Sequence, residues 1–226
     1  MGQHHLRGEP PVYLTLRRSG RARRISLRIS QLDGRVTLTV PAGVPEEEAL
    51  DFAQSKAEWI RGHLDNHPGL VAVGPGEEIP LEGRGRLVRT GTTRKVIVSS
   101  EAIDIPVDRG VPRLKAHLRE LARDRLVAAS DRYAERLGKG YARISIRDTR
   151  SRWGSCSSAG ALMYSWRLIL APPEVLQYVA AHEVAHLAEM NHSSRFWNHV
   201  EALYGDYDAP RRWLREQGGA LHRFQF

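Results

Sequence analysis

A single cysteine, Cys156, stands in 226 residues. It has no partner for an internal disulfide, so the chain is expected to work in a reducing compartment, the cytoplasm. No apolar run approaches the roughly 18 residues of a membrane span. The first residues hold no apolar stretch of the secretory kind, so no signal peptide is expected. Met1-Gly2 opens like a myristoylation signal, but Leu6 stands where Ser or Thr is required, and no lipid anchor follows. Membrane partners are therefore not expected. Acidic residues are in short supply: 26 Asp and Glu against 34 Lys and Arg leave a net charge of +8. The apolar and charged fractions, 41% and 27%, are those of a soluble globular chain with one larger domain or two small ones.

Much of the excess charge is local. Arg17, Arg18, Arg21, Arg23, Arg24 and Arg28 fall within twelve residues. Such density is either a solvated basic strand or a surface for nucleic acid or nucleotide phosphates. The same stretch alternates apolar and polar residues through Ile25, Leu27 and Ile29, then Val36, Leu38 and Val40, around Asp33-Gly34. That pattern predicts a β-hairpin with a tight turn. Residues 1–10 read as a flexible tail. Pro45 opens a helix expected to run to His67, with Glu46, Glu47 and Glu48 at its positive end. Short strands are expected over 70–108. Gly110-Val111-Pro112 reads as a boundary, and Arg113 to Leu137 as a long helix closed by Gly138. A strand at Ile144–Ile146, a turn over Gly154–Gly160 and a strand over Leu162–Leu170 follow. Pro172 and Pro173 open another helix. The expected fold class is α+β. A β-rich region with one helix occupies 1–110. A second domain, with a small sheet and the helix opened by Pro172, occupies 111–226.

That helix contains His182-Glu183-Val184-Ala185-His186. Two histidines four residues apart project from one helix face, one above the other, and so can share one metal ion. Glu183 lies beside them, placed to reach a water on that ion without ligating it. Chance alone gives roughly 0.03 matches to this pattern in such a chain. His192, six residues on, lowers that expectation to roughly 0.001. Metzincin proteases share this offset but carry Gly where this chain has Glu189. Six residues on a straight helix rotate by about 240°, which would point His192 away. The helix must therefore end between about Leu187 and Met190 and the chain turn back, with Asn191 the expected left-handed turning residue. Three imidazoles leave one tetrahedral position open, the arrangement of catalytic rather than structural zinc. One Zn²⁺ per chain is expected, with Glu183 as general base.

Further segments carry a resemblance: Ser151-Arg152-Trp153-Gly154-Ser155-Cys156-Ser157, Trp166-Arg167-Leu168-Ile169-Leu170-Ala171-Pro172, Tyr178-Val179, and Met190-Asn191-His192-Ser193-Ser194-Arg195-Phe196-Trp197. With the histidine motif they resemble the YgjP-like (DUF45) zinc metallopeptidases, a family grouped with the M48 and SprT-type zincins. The resemblance is dense over 143–215 and reaches loosely to the N-terminal hairpin. It implies a zincin-like metallohydrolase domain over 111–226 with an active-site helix, zinc at His182, His186 and His192, and Glu183 as catalyst.

The remaining candidates stay open. Arg152 and Arg167 either hold a substrate phosphate or carboxylate or pair with acids such as Glu174 or Glu189. Trp153, Trp166 and Trp197 either flank the cleft or fill core. Cys156 reads as a packed thiol, since a fourth ligand would close the site. Tyr204, Tyr207 and Arg211 could supply a transition-state donor. Ser193 reads as the cap of the next helix. By analogy with zincins, the strand over Leu162–Leu168 would align an extended peptide along a sheet edge. The leading function is a zinc-dependent metallopeptidase, read as a metalloendopeptidase acting on protein or peptide substrates. The alternatives are a metal-dependent nucleoside triphosphate pyrophosphatase and a nucleic-acid-associated protease of the SprT type.

Overall fold

The computed structural model describes residues 2–30, 34–65 and 69–226. It is an α+β protein whose chain divides into two compact units, Met1–Leu70 and Val71–Phe226.

In the first unit, β1 (Gly2–Leu6), β2 (Val12–Ser19), β3 (Ser26–Ile29) and β4 (Val36–Pro41) form one sheet in the order β1-β2-β4-β3. The β3–β4 pair is antiparallel, as the alternation predicts. Its turn residue Asp33 lies outside the described residues. The expected tail is instead a strand: β1 pairs antiparallel with β2, and Leu6 opposite Val12 is buried. A five-residue polar strand has no signature of its own, and its partner supplies the structure. Leu14, Leu16, Leu38 and Val40 share a core with Ala49, Ala53, Ala57 and Ile60 of two helices, α1 (Glu46–Ser55) and α2 (Ala57–Asp65). One helix was expected here. The break falls at Lys56, whose N–H reaches back only to Ala53, while the Ser55 hydroxyl donates to the Phe52 carbonyl. Both contacts compete with the regular helical ladder.

The second unit starts with β5 (Val71–Ala72), whose partner is the last strand of the chain. A four-stranded sheet follows, from β6 (Glu78–Leu81), β7 (Arg84–Thr90), β8 (Ile97–Val98) and β9 (Ala102–Ile105), in the order β6-β7-β9-β8. Its inward residues Ile79, Leu81, Val88 and Ile103 share one core with Leu114, Leu118 and Leu126 of α3 (Gly110–Leu137). The unit boundary therefore falls before these strands, not at Gly110–Pro112. A sheet with one apolar face buries it on the nearest amphipathic helix, whatever turn residues lie between. Gly138, with φ 69°, ends α3 as expected.

The part that positions the site is small. Strands β10 (Arg143–Arg147), β11 (Gly154–Cys156) and β12 (Ala161–Ser165) form a sheet in the order β10-β12-β11. Residues 166–170, expected as strand, are a buried 3₁₀ helix. A continuous apolar run carries no periodicity that separates the two. The expected edge strand is thus displaced. The segment from Leu162 lies in the centre of the sheet, parallel to β10 and antiparallel to β11, and the edges are β10 and β11. Next comes α4 (Pro173–Ala185), buried on almost all sides and packed against α3, α5 (Ser194–Tyr204) and α6 (Asp208–Glu216). A second 3₁₀ helix over 218–223 leads to β13 (Phe224–Gln225), which pairs in parallel with β5. No helix of the described residues is long and apolar enough to cross a membrane.

Candidate metal centre

His182 and Glu183 sit on the last turn of α4, and His186 caps it. The helix ends at Ala185, sooner than the sequence suggests. Leu187 and Ala188 then bond back to the carbonyls of Val184 and Ala185 as a tightened turn. Asn191 does not take the expected left-handed conformation, since Glu82 and Arg109 are the described non-glycine residues with positive φ. Its carboxamide oxygen instead accepts the Ser193 N–H at 2.9 Å, a local turn that aims His192 back toward α4. Ser193 caps α5 through the Phe196 N–H, as predicted.

The return brings the three imidazoles together. Ring centroids of His182, His186 and His192 lie 5.0, 5.1 and 4.9 Å apart, pair by pair. Their candidate ligand atoms all fall within 4.8 Å of one another, and Nε2 of His192 is 3.1 Å from Nε2 of His182. Two nitrogens at that spacing fit two ligands of a single zinc ion, whose bonds to imidazole are about 2.0–2.1 Å long. The His186 Nδ1 lies 3.0 Å from the Glu189 carbonyl, an acceptor that only a protonated Nδ1 satisfies, so Nε2 keeps its lone pair for a metal. Nδ1 of His182 is buried with no hydrogen-bond partner. Burial, with the charges of its two neighbours and Arg211, pushes the His182 ring down to about 3, and burial lowers His186 as well. Both rings are therefore neutral near pH 7, the state in which imidazole binds metal.

Phe196 is the residue that sequence reasoning missed. It is fully buried, stacks on His186 at 4.4 Å and meets His182 and His192 edge-on at 4.8 and 4.7 Å. One ring thus backs all three candidate ligands. Its signals were its place in the resembling segment Met190 to Trp197 and its offset, four residues after His192 on an amphipathic helix, which is also that of an ordinary core phenylalanine.

Glu183 is 5% exposed, and burial pushes its carboxyl up to about 8, against the opposing charge of Arg152. Arg152 itself is exposed and faces this carboxyl rather than Glu174 or Glu189. Gly154 of the edge strand lies directly against Glu183: a Cβ there would stand 2.5 Å from Oε1 and 2.6 Å from Cγ. Cys156 holds a proton up to about 11, through burial and then the Glu183 charge, and stands outside the histidine cluster. On the opposite flank Trp197 lies 5.8 Å from His182 and from His192, stacked on Tyr207 at 5.2 Å with the Arg211 guanidinium 4.4 Å from its centre. Tyr204 is turned away and donates to the Glu174 carbonyl. A groove of about 390 Å³ borders His186, between the 157–160 turn and Leu187–Met190.

Arg167 and two tryptophans are placed elsewhere. Arg167 is buried, bonded to Asp148 at 2.8 Å and to the Leu221 and Phe224 carbonyls at 3.0 and 2.9 Å. Its donors are turned to the chain itself, away from the histidines. Trp153 packs on His222 at 5.2 Å, and Trp166 is core. Burial pushes the Asp148 carboxyl up, but the Arg167 bond and charge, with Lys115, outweigh it and hold it below the ordinary carboxylate range. A folded-state value below the unfolded one favours the fold at neutral pH, and the gain is lost as pH falls through the folded value. Asp148→Asn should therefore lower Tm at pH 7, with a gap from wild type that narrows on acidification. A gap independent of pH would sever the pair from acid stability.

The decisive comparison is with families of known chains. The model of the YgjP-like metallopeptidase domain matches residues 23–217. The chain belongs to the YgjP-like metallopeptidase family. Members are metal-dependent hydrolases, and the family implies a divalent metal, typically zinc. In this YgjP-like chain the histidine cluster and Glu183 fall within the matched span. None of the curated proteins compared with it matches. Among solved structures it is similar to the metallopeptidase zymogen abylysin of Pyrococcus abyssi, 22% identical, over 41% of this chain and 95% of that one, at a TM-score of 0.37.

Proposed function

We propose that the chain is a zinc-dependent peptidase in which His182, His186 and His192 hold the ion and Glu183 moves the proton. The observation that carries this reading is the convergence of three imidazoles beside a buried carboxyl that packs against an edge strand. When bound, zinc supplies a Lewis acid that polarises a carbonyl and acidifies a water. A cation held by the histidines would favour the Glu183 carboxylate against its burial, and that carboxylate takes the proton of the attacking water and passes it to the departing amine. The backbone of β11, unpaired on its outer side among the described residues, aligns an extended peptide by strand addition. The groove beside His186 then takes one substrate side chain. Arg152 neutralises the Glu183 carboxylate or a substrate carboxylate that approaches it.

An all-imidazole ligand set favours zinc over Mg²⁺, which prefers carboxylate and phosphate oxygens. The pyrophosphatase alternative therefore becomes an outcome of the test. The chain is assayed on denatured protein and on nucleoside triphosphates, after stripping with a chelator and after return of Zn²⁺ or Mg²⁺. We expect peptide cleavage restored by Zn²⁺ alone. Triphosphate hydrolysis restored by Mg²⁺, without peptide cleavage, would sink the peptidase reading. In parallel, His192→Ala should weaken zinc affinity by more than about 100-fold, beyond the usual effect of losing a residue that only orients a ligand. Zinc retained at wild-type affinity would exclude His192 from the ligand set.

A further inference from the structure

The four strands of the first unit contain no Asp or Glu. Side chains alternate across a sheet, so each strand has one set facing the helices and one facing away. The inward set is the apolar core shared with α1 and α2. The outward set includes Tyr13, Thr15 and Arg17 on β2, Thr37 on β4, Arg28 on β3 and His5 on β1. The register makes this one continuous surface: His5 lies opposite Tyr13, and Thr37 lies between Thr15 and Arg28.

Two features of that face point to a ligand. Tyr13 is 73% exposed on a strand whose neighbours Val12 and Leu14 are buried, with the His5 ring 6.4 Å away. Arg17 and Arg28 are exposed, and no side-chain hydrogen bond or ion pair holds either guanidinium among the described residues. Beside them on the strands stand the Thr15 and Thr37 hydroxyls, and the described strands themselves carry no carboxylate. The loop that follows β2 adds Arg21, Arg23 and Arg24, all exposed. Protruding rings with flanking guanidinium groups match a ligand that presents flat bases and phosphates together. A duplex hides its base faces by stacking them, and its grooves admit a helix or ribbon rather than a flat sheet.

We propose that the open face of the β1–β4 sheet binds single-stranded nucleic acid, with Tyr13 and His5 stacking on bases and Arg17 and Arg28 neutralising phosphates. The surface lies apart in sequence from the histidine cluster, and the proposal stands whether or not the chain cleaves peptides.

The test is fluorescence anisotropy of the full chain with a labelled single-stranded oligothymidylate, at about 50 mM salt and upward. Tyr13→Ala should weaken binding about 5- to 100-fold, as loss of one stacking ring does, and Tyr13→Phe should restore it. Arg17→Ala with Arg28→Ala should lower the slope of log affinity against log salt by about 1.4, near 0.7 for each phosphate contact to a single strand. All four side chains are exposed, so circular dichroism should remain unchanged. Glu183→Gln should bind as wild type does. No binding at low salt, binding indifferent to Tyr13, or tighter binding of the matching duplex would each overturn the proposal.

Discussion

Replacing Glu183 by Gln should lower turnover about 10²- to 10⁴-fold while the chain still holds one metal ion. Gln keeps the shape and the hydrogen-bonding reach of the side chain and loses only the ability to accept a proton. The carboxyl stands outside the histidine cluster, so the ligand set is untouched. Burial of the side chain argues for the same result. A neutral amide is easier to bury than a carboxylate, so the variant should fold at least as well as wild type. The check is kcat on a peptide substrate beside metal content per chain. Metal lost together with activity would make Glu183 a ligand. Activity retained would leave the general base without an owner.

Gly154→Ala should be nearly as damaging, although it adds a single methyl group. That methyl would stand 2.5–2.7 Å from three atoms of the Glu183 side chain. Cγ is among them, so rotating the carboxylate alone does not clear the space. Either the carboxyl leaves its position beside the histidines or β11 moves outward, and both disturb the reacting geometry. A misplacement on the order of 1 Å costs about 100-fold in rate, which is the loss expected in kcat, with zinc affinity unchanged. A double-mutant cycle tells the cause. If Gly154 acts through Glu183, the alanine should cost little more in a Glu183→Gln background, because residues in contact are not additive. Full additivity would assign the effect to the strand instead.

The histidine site is the most legible part of the sequence because its constraint is local. Two residues four apart on a helix meet regardless of the rest of the fold, and the third histidine forces the chain to turn. The manner of the turn was not legible. Asn191 achieves it through its side chain rather than a left-handed backbone, two solutions open to the same residue type. The sheet beside the site was misread for a different reason. The pairing of Ile144 with Leu162 is parallel and joins segments separated by another strand, and no local pattern records which strand lies at the centre. Gly154 was visible as a turn-forming glycine. Its packing against Glu183 comes from a contact between residues far apart in the chain. The N-terminal strand β1 was invisible because its stability belongs to β2.

The pairing of β5 with β13 bears on how the second unit is made. It joins the first strand of that unit to its last, so a chain emerging from the ribosome N-terminus first completes this pair last. The Leu221 and Phe224 carbonyls that bind Arg167 arrive in the same final stretch. Until then the Arg167 side chain has Asp148 without those two carbonyls, with the histidines already translated. Such long-range closure is a slow event in folding, and it sets a moment in synthesis before which the metal centre lacks its finished frame.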